Sequence, residues 1–258
     1  MYQAPPSRFY GGVTNSGPWP YALLANYPNP MPMVSPDDFD DFMGTYTAAD
    51  WTIQQTGAGT TADTAGNGGL ILQTTTATGS DQQANVRPTA KFAFIAGNQF
   101  WFAANFQCSV ANLSQVTLGV MDTLVGLAPT DGVYFDKPSG ATVLNLVIRK
   151  AGTSTTIPIY SSFAAATSYA VGFYYDGRGD PSLYAFCSAN LTAPLAFGPR
   201  VPFPGGSNVA TANAAGPNLL TNLPTVNLKP GFGVKTGAAA AITMTTDYIF
   251  TATDAVRF

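Results

Sequence analysis

Histidine and glutamate are both absent from the 258 residues: the 14 acidic side chains are all aspartates, set against only 11 lysines and arginines. Serine-hydrolase triads, cysteine–histidine pairs and the usual zinc sites all need histidine or several cysteines, and the chain has two cysteines. Paired-carboxylate glycoside hydrolysis would have to run on aspartates alone. The chemistry that remains favours a protein that binds over one that transforms, and we expect no enzyme, no cofactor and no catalytic residue. Charge is scarce as well, at 10% of residues against about a quarter in ordinary domains. No cluster of basic residues offers a seat for phosphates, so nucleic acid is not an expected partner. No apolar run approaches the roughly 18 residues of a membrane span. The start, Met1-Tyr2-Gln3-Ala4-Pro5-Pro6, lacks the basic and apolar regions of a secretory signal, which points to folding in a cytosol. There Cys108 and Cys187, both inside apolar alternating stretches, are expected as reduced core residues in preference to a bridge.

What is plentiful is threonine, with 26 glycines and 20 prolines. Threonine is β-branched and suits pleated strands, while the strong helix formers glutamate and lysine are missing or few. The expectation is all-β. From residue 37 onward the apolar period is two. It is clearest over Gln99–Val110, where Phe100, Phe102, Ala104, Phe106, Cys108 and Val110 alternate with Trp101, Ala103, Asn105, Gln107 and Ser109. One of those faces should be core. Further strands are predicted at 52–55, 69–75, 90–95, 116–121, 132–136, 143–150, 155–160, 168–175, 182–187 and 241–251, with turn residues such as Asp131-Gly132 and Pro138-Ser139-Gly140 between them. So many short strands imply two packed antiparallel sheets, a β-sandwich body over 37–258. Within it, about residues 198–230 lose the alternation and read as a long Pro/Gly-rich loop.

Residues 1–36 differ from the rest. Prolines at 5, 6, 18, 20, 28, 30, 32 and 36 are interleaved with Tyr2, Phe9, Tyr10, Trp19, Tyr21 and Tyr27. Proline lacks the backbone donor and fixes φ, which leaves an extended, polyproline-like arm. Aromatic rings are costly to leave in water, so the arm should lie on a surface, either a neighbouring subunit or its own domain. Those six aromatics are the candidate contacts with that surface.

Three acidic groups qualify for weighing. Asp37-Asp38-Phe39-Asp40-Asp41-Phe42 can be read as oxygen ligands for calcium or as a solvated junction in which Phe39 and Phe42 dock the first strand, and the second is favoured. Asp176 and Asp180 flank a Gly-Arg-Gly tip read as a tight turn. Asp131 and Asp136 read as solvated strand ends. No metal site is expected from them. Trp51, Trp101, Tyr134, Tyr174 and Tyr184 are the rings that would stack on sugars if a glycan were bound, though strand aromatics more often pack in a core or an interface.

Several local patterns occur in order: Asp38-Phe39-Asp40 leading to Trp51, Gly68-Gly69-Leu70-Ile71-Leu72, Phe100-Trp101-Phe102 with Phe106, Leu118-Gly119-Val120-Met121-Asp122, Asp131-Gly132-Val133-Tyr134-Phe135, Tyr169–Asp176, Phe232–Gly237 and Asp247-Tyr248-Ile249. Together they resemble the concanavalin-like jelly-roll domains of tailed-bacteriophage virion proteins, above all capsid decoration (cement) proteins. That resemblance implies a non-enzymatic structural protein made in the host bacterial cytoplasm and placed on the outer surface of a phage head. Its partners would be the major capsid protein and itself, as a homotrimer bracing neighbouring capsid subunits. No catalytic residues are carried over, and the lectin sugar and metal positions do not map onto this chain. The alternative is a carbohydrate-binding module of a tail fibre or receptor-binding complex, with a glycan as partner.

Overall fold

The computed structural model describes residues 37–43, 46–47, 49–65, 69–177, 181–189, 209–211 and 220–253. Two antiparallel sheets face each other. The first runs β13 (Val209–Thr211), β12 (Ser182–Ala189), β11 (Ser168–Asp176), β6 (Gln99–Cys108), β15 (Thr243–Thr253), β4 (Leu70–Thr74), β3 (Thr60–Thr64). β1 (Asp37–Asp40) shares one edge of β15 with β4, pairing with Ile249–Ala252 while β4 pairs with Thr243–Thr246. The second sheet runs β10 (Thr153–Tyr160), β9 (Leu144–Lys150), β8 (Gly132–Lys137), β7 (Ser114–Met121), β14 (Lys229–Thr236), β5 (Gln82–Val86), β2 (Thr52–Ile53). The only helical turn among the described residues is a 3-10 turn at Val125–Leu127.

Alternation decides what lies between the sheets. Phe100, Phe102, Ala104, Phe106 and Cys108 of β6 meet Val116, Leu118 and Val120 of β7, Phe135 of β8 and Phe173 of β11 in one core cluster. Phe102 and Phe173 stack at 5.2 Å, and Phe100 and Phe173 at 5.9 Å. Burying a ring of this size fully is worth about 2–3 kcal/mol, so this aromatic layer is the main adhesive between the sheets. Cys108 and Cys187 belong to it as free, buried thiols, and burial pushes the Cys187 thiol up to about 12.

One face of β6 is core, as expected, and the other is buried as well. Trp101 and Ala103, on the side turned away from the core, are as buried as the core residues. Two differences concern extent. Residues 90–95 form no strand, only an isolated bridge from Phe92 to Leu228. Conversely, β13 falls inside the stretch read as loop.

Candidate functional site

The acidic start of the body is a fastening. Asp38 and Asp40 pair with Thr251 and Ile249 of β15 and therefore point inward, toward the second sheet. There the Arg87 guanidinium, just past the end of β5, donates from Nε and Nη2 to Asp38 at 2.6–3.1 Å and lies 3.3 Å from Asp40 Oδ2. Trp51, just before β2, donates its indole N–H to Asp40 Oδ2 at 2.8 Å, and the guanidinium lies 4.3 Å over its ring. Arg87 Nη1 also reaches Asp50 O at 3.1 Å. A planar fork matched to a carboxylate and stacked on an aromatic is the arrangement arginine makes best. Asp38 and Asp40 are thus held by Arg87 and Trp51 and not left free at a solvated junction. Among the described residues no three acidic or cysteine side chains converge on a point. Phe42 docks as expected, packing 5.9 Å from Trp51 and 5.8 Å from Phe232, whereas Phe39 lies on the opposite, outer side.

The outer face of the second sheet carries a polar patch built around a carboxylate raised by burial. Asp136 is not a strand end but lies within β8, opposite Thr117 of β7 and Asn145 of β9. Thr117 Oγ1 and Gln115 Nε2 donate to its Oδ1 at 3.0 and 3.2 Å. Burial raises its pKa above the ordinary 3.8, against the pull of those two hydrogen bonds and of Lys137. Beside the patch, Tyr134 is raised above 10 by burial, opposed by its hydrogen bond with Arg149, and Arg149 Nε is buried without a partner. The loop after β7 lies over the rest of this face: Leu124 and Leu127 pack with Ala84, Val86, Met121, Tyr134 and Val147. The loop is tied down by Leu124 N donating to Gln54 Oε1 at 2.8 Å and Gln82 Nε2 donating to Leu124 O at 2.9 Å. A single half-buried carboxylate ringed by amide, hydroxyl and phenol groups can bind hydroxyls. Glycoside hydrolysis needs a second carboxylate working with the first. Asp131 accepts the Ala151 N–H at 3.0 Å, a turn contact.

The outer face of the first sheet is aromatic. Strand pairing places Tyr184, Tyr174, Trp101 and Ala252 in one row across β12, β11, β6 and β15. Phe186, Gly172, Ala103, Phe250 and Phe39 form the next row, which continues onto β1. Trp101 and Tyr174 lie 5.6 Å apart, Tyr174 and Tyr184 6.1 Å. The five rings weighed as sugar platforms are therefore not brought together: Trp51 is between the sheets, Tyr134 is on one outer face, and Trp101, Tyr174 and Tyr184 are on the other. The arm aromatics Tyr2, Phe9, Tyr10, Trp19, Tyr21 and Tyr27, the Arg178-Gly179-Asp180 tip and most of the 198–230 stretch lie outside the described residues. Arg87 is the structurally decisive residue that sequence reading passes over, because nothing local links it to carboxylates 47 and 49 positions earlier.

No protein-family model matches the chain, and no curated protein matches it. Solved structures do. Peanut lectin superposes with a TM-score of 0.57 at 11% identity over 87% of this chain and 99% of its own. An endo-1,3-beta-glucanase from Streptomyces sioyaensis gives 0.56 at 13% over 88% and 98%. A protein of unknown function from Shewanella oneidensis MR-1 gives 0.53 at 18% over 92% and 95%. At these identities the likeness is one of fold, and by that fold the chain is a two-sheet antiparallel jelly roll of the concanavalin-like, legume-lectin type.

Proposed function

We propose that the protein is a non-enzymatic structural component of a virion, a capsid decoration protein that binds the outer surface of a phage head and stabilises neighbouring capsid subunits. The observation that carries this reading is the fastening at the root of the arm. β1, which follows residue 36 directly, is hydrogen-bonded into one sheet and joined through Asp38 and Asp40 to Arg87 and Trp51 of the other. A contact segment rooted in both sheets passes load to the whole sandwich, which suits a brace. The low charge supports the same reading, since interface cores are depleted in charge. Incubation of undecorated heads with full-length protein should give regular surface density by electron microscopy, and protein lacking residues 1–36 should give none. Full occupancy by the shortened protein would remove the arm from the account. Closed homo-oligomers are common, and we propose a trimer; a monomer in sedimentation would contradict it.

A second reading, a carbohydrate-binding module, is favoured by the patch of Asp136, Gln115, Thr117, Asn145 and Tyr134 on the second sheet. It predicts glycan-array binding that Asp136→Ala abolishes.

A further inference from the structure

The space between the sheets is not apolar throughout. Where β3 and β4 of the first sheet face β5 of the second, the inward side chains are amides. Gln73 shares the inner face of β4 with the core residue Ile71, and Gln83 shares the inner face of β5 with Asn85. Gln73, Gln83 and Asn85 are each 0% exposed. Asn85 is paired at both ends of its amide. Its Oδ1 accepts from Gln73 Nε2 at 2.7 Å and from Thr61 Oγ1 of β3 at 3.2 Å, and its Nδ2 donates to the Tyr46 hydroxyl at 2.7 Å. Tyr46 donates in turn to Trp51 O at 3.2 Å, so the network runs into the fastening that Trp51 makes with Asp40.

The two glutamines are not so served. Gln73 Oε1, Gln83 Oε1 and Gln83 Nε2 have no hydrogen-bond partner among the described residues. Buried amides left in that state are costly, and a polar network holds a single arrangement only when every member is satisfied. The unpaired atoms lie at one end of the sandwich. Gln73 crosses from β4 to Asn85 in β5, and Gln83 crosses the other way: its Nε2 and the Thr74 carbonyl both lie 2.4 Å from where a Cβ of Gly59 would stand. Gly59 has no side chain, which gives the Gln83 amide its room at the start of β3. The chemistry of the unpaired set decides what can meet it. An apolar occupant would satisfy none of the three atoms, and a metal cation takes oxygen ligands only, so it would face the hydrogens of Gln83 Nε2. Turning the Gln83 amide over exchanges its oxygen and nitrogen and leaves the same count of donors and acceptors. Water both donates and accepts. We propose that the sandwich binds internal water here, at least one molecule donating to Gln73 Oε1 and hydrogen-bonded to the Gln83 amide. Buried water characteristically makes about three hydrogen bonds to groups the protein leaves unpaired. This one completes a polar path from Asp40 through Trp51, Tyr46, Asn85 and Gln73 to Gln83, and so belongs to the joint between the sheets. The site is internal and stands whatever the outer surfaces contact.

Crystallography and NMR of the full-length protein test the site. High-resolution density should place a water within hydrogen-bonding distance of both Gln73 Oε1 and the Gln83 amide. In nitrogen-15-labelled protein the side-chain amides of Gln73 and Gln83 should give cross-peaks to water with the sign of a long-lived bound molecule. Crystals soaked in rubidium chloride should show no anomalous peak between them. Gln83→Met, which keeps the length and removes both polar atoms, should abolish the density and bring the Gln73 cross-peak down to background. No density between the amides, an anomalous peak there, or a Gln73 cross-peak as strong in Gln83→Met as in the wild type would each overturn the proposal. Should Gln83→Met fail to fold, the wild-type density, cross-peaks and rubidium soak decide it.

Discussion

Lys137 lies between the sheets at the end of β8, its ammonium donating to the carbonyls of Ala111 and Ser114 and 5.7 Å from the Phe163 ring. Burial lowers its pKa from the ordinary 10.5 to about 8, against the opposing influence of Cys108 and Asp136. Between those two values the unfolded chain keeps the proton that the folded one has released, so stability rises with pH across that window. Relative to Lys137→Met, the wild-type protein should therefore gain stability from about pH 8 to about pH 10.5, read from urea midpoints. A constant difference would mean that the lysine titrates normally. Asp136 has the opposite sign. Its raised pKa means that the folded state holds the proton longer, so its contribution falls as pH rises above 3.8. Asp136→Asn should raise the unfolding midpoint at neutral pH, with the gain shrinking toward pH 3. At the fastening, Arg87→Met strands two carboxylates whose side chains are only 20% and 23% exposed and should cost about 2 kcal/mol. An Asp38→Asn, Arg87→Met double mutant that loses no less than the sum of the singles would deny the pairing.

Where neighbouring strands touch backbone to backbone, there is little room for adjustment. A Cβ on Gly119 of β7 would stand 2.5 Å from the Tyr134 Cα and the Val133 carbonyl of β8, atoms that move only if the strands part. Gly119→Ala should cost about 2 kcal/mol. Gly172→Ala meets a ring that can swing aside and should cost less; thermal unfolding of the two variants checks the order. The same strands show what the sequence makes legible. β6 and β11 follow from alternation because one of their faces is aliphatic and aromatic without interruption. β5 does not, since Gln82, Gln83 and Asn85 are buried amides that read as loop until Gln73 Nε2 is found donating to Asn85 Oδ1 at 2.7 Å. β1 reads as a junction because aspartates disfavour strands, and only Arg87, from the other sheet, makes their inward placement tolerable. Residues 90–95 show the reverse failure: Phe92 and Phe94 alternate and are buried, yet the stretch makes only the isolated bridge of Phe92 to Leu228. The burial of β6 on both faces is invisible locally, because alternation reports which residues share a face and not what covers it.

Among the described residues, Arg87 with Asp38 and Asp40 forms one internal joint and Lys137 another, and the buried aromatic rings lie mainly in two layers, one between the sheets and one on the outside of the first. The two-sheet jelly-roll body was accessible from periodicity and resemblance, whereas the order of strands within each sheet was not. The fastening and the Asp136 patch were not, since each joins residues from different strands that only the folded topology brings together. We propose that this sandwich holds a particle together by contact. Reconstruction by electron microscopy of the virion proposed to carry it tests this most directly: the prediction is the sandwich repeated regularly on the outside of the head, touching more than one capsid subunit. Density confined to the tail tip, or none on the particle, would contradict it.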